Sequence, residues 1–246
     1  MKNVICILGI ITFALGVQAK PPYHGTVWVD PDIITDEDPT SFKNLVKSGK
    51  GKRKMHDRRV NGWVTLKAHL FTAFFDDQKQ TIEVQVNPEF DKYAAFKEAN
   101  KYLKVIGQIP VSLRKDVQTV WTHKGDRLFG GGNNNLQIHT AQGEKYIIKG
   151  LLAEVFIHEA THTSLDRYYR NNKQWLAAQK KDREFISEYA QKHPGREDLA
   201  ESFPLYLALR YKPDRIDAKT RELITKTIPN RIFFFDTLKL NMHPVK

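Results

Sequence analysis

Cysteine is nearly absent from this sequence. Among 246 residues there is one, Cys6, inside a stretch laid out like a secretion signal: Lys2, an apolar run from Val4 to Val17, and a small-residue end at Val17-Gln18-Ala19. Residues 1–19 are therefore the expected signal peptide, and the secreted, extracellular chain is expected to begin at Lys20. Once Cys6 leaves, no disulfide can form even in an oxidising compartment, and both thiol catalysis and cysteine-ligated zinc are excluded. Long apolar runs are lacking too: nothing after residue 19 reaches the roughly 18 residues a membrane-spanning helix needs, so no membrane span is expected. There is no internal repeat. The one glycine run, Gly130-Gly131-Gly132, is not followed by Gly-Lys-Ser/Thr, which speaks against a nucleotide loop; close approach of backbone to a bound ligand is its expected use.

Acidic residues are in the minority. Lys and Arg number 39 against 28 Asp and Glu, a formal net charge of +11 that drops by one when Lys2 is removed. A secreted chain this basic is drawn to anionic surfaces, glycans or acidic polypeptides. Its basic residues form no recognisable nucleic-acid reading module, so no nucleic acid partner is expected.

The charge is unevenly spread. Residues 20–40 are acidic, with Asp30, Asp32, Asp36, Glu37 and Asp38. Residues 41–59 reverse this with Lys43, Lys47, Lys50, Lys52, Arg53, Lys54, Arg58 and Arg59. Together, 20–59 read as a flexible or loosely attached arm, acidic then basic. A sharper alternative makes 20–53 a removable pro-segment cut at Lys50-Gly51-Lys52-Arg53. A single domain is expected over residues 60–246. Within it, Thr81 to Val86 alternates like a half-buried strand, with Leu70 to Phe75 as its hairpin partner. Asn87-Pro88-Glu89 resembles a helix start and predicts a helix to about Val105. Val117 to Trp121 and Leu136 to Thr140 are short strand candidates flanking a glycine-rich turn at Gly130-Gly131-Gly132. Helices are then predicted over about 150–169, 173–191, 196–211 and 218–226. Strands first and helices later indicate an α+β fold.

The strongest chemical signal is His158-Glu159-Ala160-Thr161-His162 within an amphipathic helical pattern. Side chains four apart lie one turn above each other, so two imidazoles can grip one ion while Glu159 reaches the ion's water as a general base. Zn²⁺ suits nitrogen ligands and brings its water's pKa to roughly 7, the chemistry of amide hydrolysis. A third ligand is needed. The metzincin extension fails because Leu165 and Tyr168 stand where Gly and His are required. Glu197, opening a later helix, is the best candidate, with Glu201 one turn on to orient a ligating His; His139 and His193 are weaker alternatives. Asp166, one turn past His162, can accept the free ring N–H of a ligating His or pair with Arg170. Tyr189 can donate its phenol to a developing oxyanion, with packing as the competing use.

Phe185-Ile186-Ser187-Glu188-Tyr189-Ala190, His193-Pro194 and Glu197-Asp198-Leu199-Ala200-Glu201-Ser202, taken with the histidine pair, resemble the secreted zinc-binding metallopeptidases of the gluzincin type. The catalytic domain of anthrax lethal factor is a more distant likeness, in which a Glu-x-x-Ala-Glu helix also completes the zinc site. The resemblance covers roughly residues 150–236. It implies a zincin-like domain with a small mixed sheet and an active-site helix, His158, His162 and Glu197 as zinc ligands, Glu159 as base and Tyr189 as transition-state donor. It also implies that the strand near 136–140 is the active-site edge strand, along which an extended peptide pairs. The expected activity is that of a secreted zinc endopeptidase acting on a peptide or protein substrate. The competing reading is a catalytically silent, zinc-containing secreted protein that binds anionic glycans or a protein partner.

Overall fold

The computed structural model describes residues 20–29, 33–77, 81–182 and 184–245; the expected signal peptide lies outside them. The elements run β1 (Phe42–Asp57), β2 (Gly62–Phe75), β3 (Ile82–Val86), α1 (Lys92–Lys101), α2 (Leu103–Gln108), α3 (Val111–Arg114), β4 (Thr119–His123), β5 (Gly130–Gly132), β6 (Asn135–His139) and α4 (Thr140–Ile148). Helices follow: α5 (Leu152–Ser164), α6 (Asp166–Tyr169), α7 (Lys173–Asp182), α8 (Glu188–Lys192), α9 (Asp198–Tyr211), α10 (Ala218–Thr227) and α11 (Pro229–Thr237). Six strands form one mixed sheet in the order β1-β2-β3-β4-β6-β5, compatible with the α+β expectation. β3, β4 and β6 are parallel, while β1–β2, β2–β3 and β5–β6 are antiparallel. No helix among the described residues is long and apolar enough to cross a membrane.

The basic stretch is not a loose arm. It is β1, paired with β2 from Phe42↔Phe75 to Asp57↔Gly62, and Asn61 at φ 48° closes the hairpin. The charges hid a period of two: Lys50, Lys52 and Lys54 face solvent, whereas Gly51 and Arg53 between them are part-buried and Met55 and Asp57 beyond them are buried. Lysines along an exposed edge also discourage pairing with a foreign strand. The domain boundary expected at residue 60 thus falls inside a hairpin turn, and Lys50–Arg53 sits in mid-strand. The acidic segment is docked as well. Asp38 pairs with Lys212 (2.8 Å) and Arg215, and Ile33 and Ile34 enter the core.

Both faces of the central strands are covered. On one, Val84, Val86, Val120, Leu136 and Ile138 join the helices in the main core. Over the other, the β1–β2 ribbon folds back: Gln137 Nε2 donates to His56 O (2.9 Å), Trp63 meets Trp121 edge-on (5.5 Å), and Met55, Ala68 and Leu70 pack with Trp121. β3 is therefore buried on both sides, not half-buried as its alternation suggests.

Local chemistry also redraws the helices. Asn87 begins a turn, and Asp91 caps α1 by accepting from Tyr93 N (2.8 Å) and Ala94 N (2.9 Å), so one predicted helix becomes α1 and α2. The segment predicted over 150–169 bends at Leu165 into α5 and α6. That over 173–191 divides into α7 and α8, the latter capped by the Ser187 hydroxyl on Ala190 N (3.0 Å). α4 and α11 were not anticipated; Phe235 of α11 packs on Trp175 and Phe203.

Candidate metal centre

α5 carries the histidine pair through the middle of the molecule, buried on nearly every side. One flank rests on β5. A Cβ built on Gly131 would lie 1.8 Å from the Glu159 carbonyl oxygen, so only glycine lets the strand approach this closely. The glycine run serves contact with α5 and not a turn; the turn is made by Asn133 and Asn134, both at positive φ (49° and 60°). Thr163 fastens the same contact, accepting from Gly132 N (2.8 Å) and donating to Asn135 O (2.8 Å). β5, outside β6, is the edge strand; the expectation that the 136–140 strand would be the edge is corrected, because β6 is paired on both sides.

The other flank meets α9, whose N-cap is Glu197. The start of α9 is held by a buried ion cluster in which Arg231 Nε donates to Asp198 (2.8 Å) and its Nη1 donates to Asp182 (2.9 Å), with all three side chains inaccessible to solvent. Packing α5 against α9 brings the His158 and His162 Nε2 atoms to 3.2 Å from each other. Glu197 Oε2 stands 3.5 Å from the first and 3.1 Å from the second. These three residues are the group of His, Cys, Asp or Glu side chains among the described residues whose ligand atoms lie mutually within 4.8 Å.

Each imidazole has a carboxylate behind it. His162 Nδ1 donates to Asp166 Oδ2 (2.8 Å), and His158 Nδ1 lies 3.4 Å from Glu201 Oε1. Asp166 makes this contact and no ion pair with Arg170. Glu201 is fully buried; its Oε2 accepts from Ser187 Oγ (2.7 Å) and Val27 N (2.8 Å). The chain segment 22–29 thus runs along α5 and α9, with Tyr23 N donating to Ile186 O and Val29 N to Glu154 Oε2 (2.5 Å). Val27, Glu154 and Arg196 were given no role from the sequence, and Ser187 entered only as part of the segment that carries the resemblance. Ser187 was visible as a helix cap, but a backbone N–H 174 residues from its acceptor leaves no local signal.

The electrostatics follow from this geometry. Burial tends to raise the Glu197 carboxyl, but hydrogen bonds to His158 and His162 and their charge outweigh it and hold Glu197 well below the usual carboxylate range. Burial likewise works against a charged His162. Its hydrogen bonds to Asp166 and Glu197 and the field of Glu159 prevail, pushing it up to about 10. The cluster as it stands favours positive charge at its centre.

Tyr189 OH donates to Glu197 Oε1 (3.1 Å), and Arg196 donates to the same oxygen (2.7 Å) and to the phenol (3.3 Å). Glu159, half-buried, lines a cleft of about 930 Å³ with His158, His162, Glu197 and Tyr189. Gly131 to Asn134 also line it, as do Trp28, Phe129 and Tyr146, whose rings pack against one another. His139 and His193 are not in the cluster. His139 is buried against His123 (ring centroids 5.3 Å apart), with Nδ1 bonded to Lys124 O (3.1 Å), and His193 packs on the Tyr189 ring. Comparison with protein-family models, curated proteins and solved structures finds no match to this chain.

Proposed function

We propose that the protein is a secreted, zinc-dependent metallopeptidase with a zincin-type catalytic domain. The observation that carries this reading is the convergence of His158 Nε2, His162 Nε2 and Glu197 Oε2 at the wall of a cleft that also holds Glu159. Two imidazole nitrogens and a carboxylate oxygen are a donor set suited to Zn²⁺ with one coordination position left open. Asp166 and Glu201, facing the opposite ring nitrogens, leave both Nε2 atoms for the ion. The resemblance to gluzincin-type peptidases rests on the same residues and points the same way.

A zinc ion held there supplies a water of lowered pKa and a polarised carbonyl oxygen. The chain supplies the rest. Glu159 accepts the proton of the attacking water and delivers it to the leaving amine nitrogen, so one carboxylate serves as base and then as acid. Tyr189, held at the rim by Glu197 and Arg196, turns its hydroxyl to the carbonyl oxygen as negative charge develops. The outer edge of β5 offers backbone pairing to an extended peptide.

Glu159→Gln should retain zinc while peptide hydrolysis falls by about 10²–10⁴-fold, and Glu197→Ala should lose the metal. Assay of a mixed peptide library with and without chelator reads the first, and metal analysis the second. Undiminished hydrolysis by Glu159→Gln contradicts the reading.

A non-catalytic role has one observation in its favour. Lys50, Lys52 and Lys54 line the exposed face of the β1–β2 ribbon, with Lys67 directly across from Lys52 and Trp63 half exposed beneath Lys54. Such a face suits an anionic glycan. Zinc binding with no cleavage of any peptide would favour that role.

A further inference from the structure

The cleft carries more positive charge than its proposed chemistry uses. Four arginines line it, Arg58, Arg167, Arg170 and Arg196, beside three carboxylates. Asp166 is engaged by His162, and Glu197 by the histidines and Arg196. Arg58, Arg167 and Arg170 have no carboxylate partner among the described residues.

Their placement follows the edge strand. Arg58, at the tip of the β1–β2 hairpin, is half-buried with its guanidinium over the start of β5: a Cβ on Gly130 would stand 2.6 Å from Nη2. At the other end, Gly132 N is held by Thr163 (2.8 Å), and Arg167 follows four residues later, exposed and stacked on the Tyr168 ring (5.0 Å), with Arg170 beyond it. Between these ends β5 is Gly-Gly-Gly and has no side chain with which to discriminate. Selection along this edge therefore falls to the cations. A partly desolvated guanidinium without an anion is stabilised by an incoming carboxylate, which its planar fork accepts through two N–H donors. Positive charge lining a cleft also concentrates anionic ligands at its mouth.

We infer that the cleft selects extended peptides with acidic side chains on both sides of the bond to be cut, read by Arg58 at the Gly130 end of β5 and by Arg167 and Arg170 at the Gly132 end. The inference rests on the peptidase reading above and assigns its substrate class.

The test uses peptides that share one core and differ only in flanks: Asp/Glu, Asn/Gln or Lys/Arg. Zinc-loaded protein is assayed for kcat/KM, and fluorescently labelled copies are titrated against Glu159→Gln by anisotropy, which reads recognition without turnover. Acidic flanks should raise kcat/KM and affinity about tenfold or more over neutral ones, with the advantage shrinking as salt rises. In Arg58→Gln the acidic-to-neutral ratio should fall toward one; Arg167→Gln/Arg170→Gln, on the exposed rim, gives the same reading if the first variant folds poorly. Cleavage without acidic preference, or a ratio unmoved by the variants, overturns the selectivity and leaves the peptidase reading standing. Acidic-selective, arginine-dependent binding with no cleavage supports the selectivity and overturns the peptidase reading.

Discussion

At the scale of single residues, the proposed centre depends on contacts that tolerate little change. Gly131 is the sharpest case, because its Cα hydrogen points at the Glu159 carbonyl and a methyl there has no room. Gly131→Ala is expected to destabilise the fold by about 3 kcal/mol through forced separation of β5 and α5, read as a fall in the urea midpoint. An unchanged midpoint would show that the strand is not seated on the helix. The three residues of the cluster were legible in the sequence for a physical reason: histidines at i and i+4 share one helix face, and an acid opening a later helix, common there for the helix dipole alone, gains meaning beside such a pair. Asp166 and Glu201 could be placed behind the histidines by the same one-turn logic, and they lie there. The groups that orient Glu201 were illegible, since Val27 contributes only a backbone N–H and reaches its acceptor through tertiary packing.

Among elements, α9 matters most, because its N-cap is Glu197 and its first turn carries Glu201. The helix is fixed less by amphipathic patterning than by Arg231, which ties Asp198 and Asp182 in a fully buried cluster. Arg231→Ala leaves two uncompensated carboxylates and should destabilise the protein by about 3–5 kcal/mol. Zinc affinity should weaken with it, as calorimetric titration of the folded variant would record. Full-strength zinc binding would mean that Glu197 is placed independently of this anchor. The strands show why other elements were misread. β1 was hidden by its lysines, whose charge suggested a solvated arm while their alternation marked a ribbon. β5 was hidden by its glycines, which read as a turn because close approach to α5 is a property of the assembled fold.

For the whole molecule, the β1–β2 ribbon folded over the sheet buries a polar layer, and this sets an acid limit on stability. Burial pushes His123 down to about 4 despite the pull of Asp57, and it lowers the neighbouring His139 as well. At neutral pH both rings are uncharged in the folded state. The unfolded chain takes up a proton on His123 as pH falls below about 6.5, so full stability is present above that pH and is lost toward pH 4. For His123 the loss is about 3 kcal/mol. Urea unfolding in chelator from pH 7 to pH 4 should show stability falling with acidity, and His123→Asn should flatten that slope. A slope identical in the variant would remove His123 as its source. The α+β class was readable from the order of strands and helices, whereas the double-sided cover of the sheet was not, because it arises from a hairpin curling across strands far away in sequence.

The proposed activity turns on one ion held by three side chains. Crystals grown with zinc and measured on both sides of the zinc absorption edge locate the metal directly. A single anomalous peak within ligand distance of His158 Nε2, His162 Nε2 and a Glu197 carboxylate oxygen is the predicted result. A peak elsewhere, or none at the cluster at saturating zinc, would contradict it.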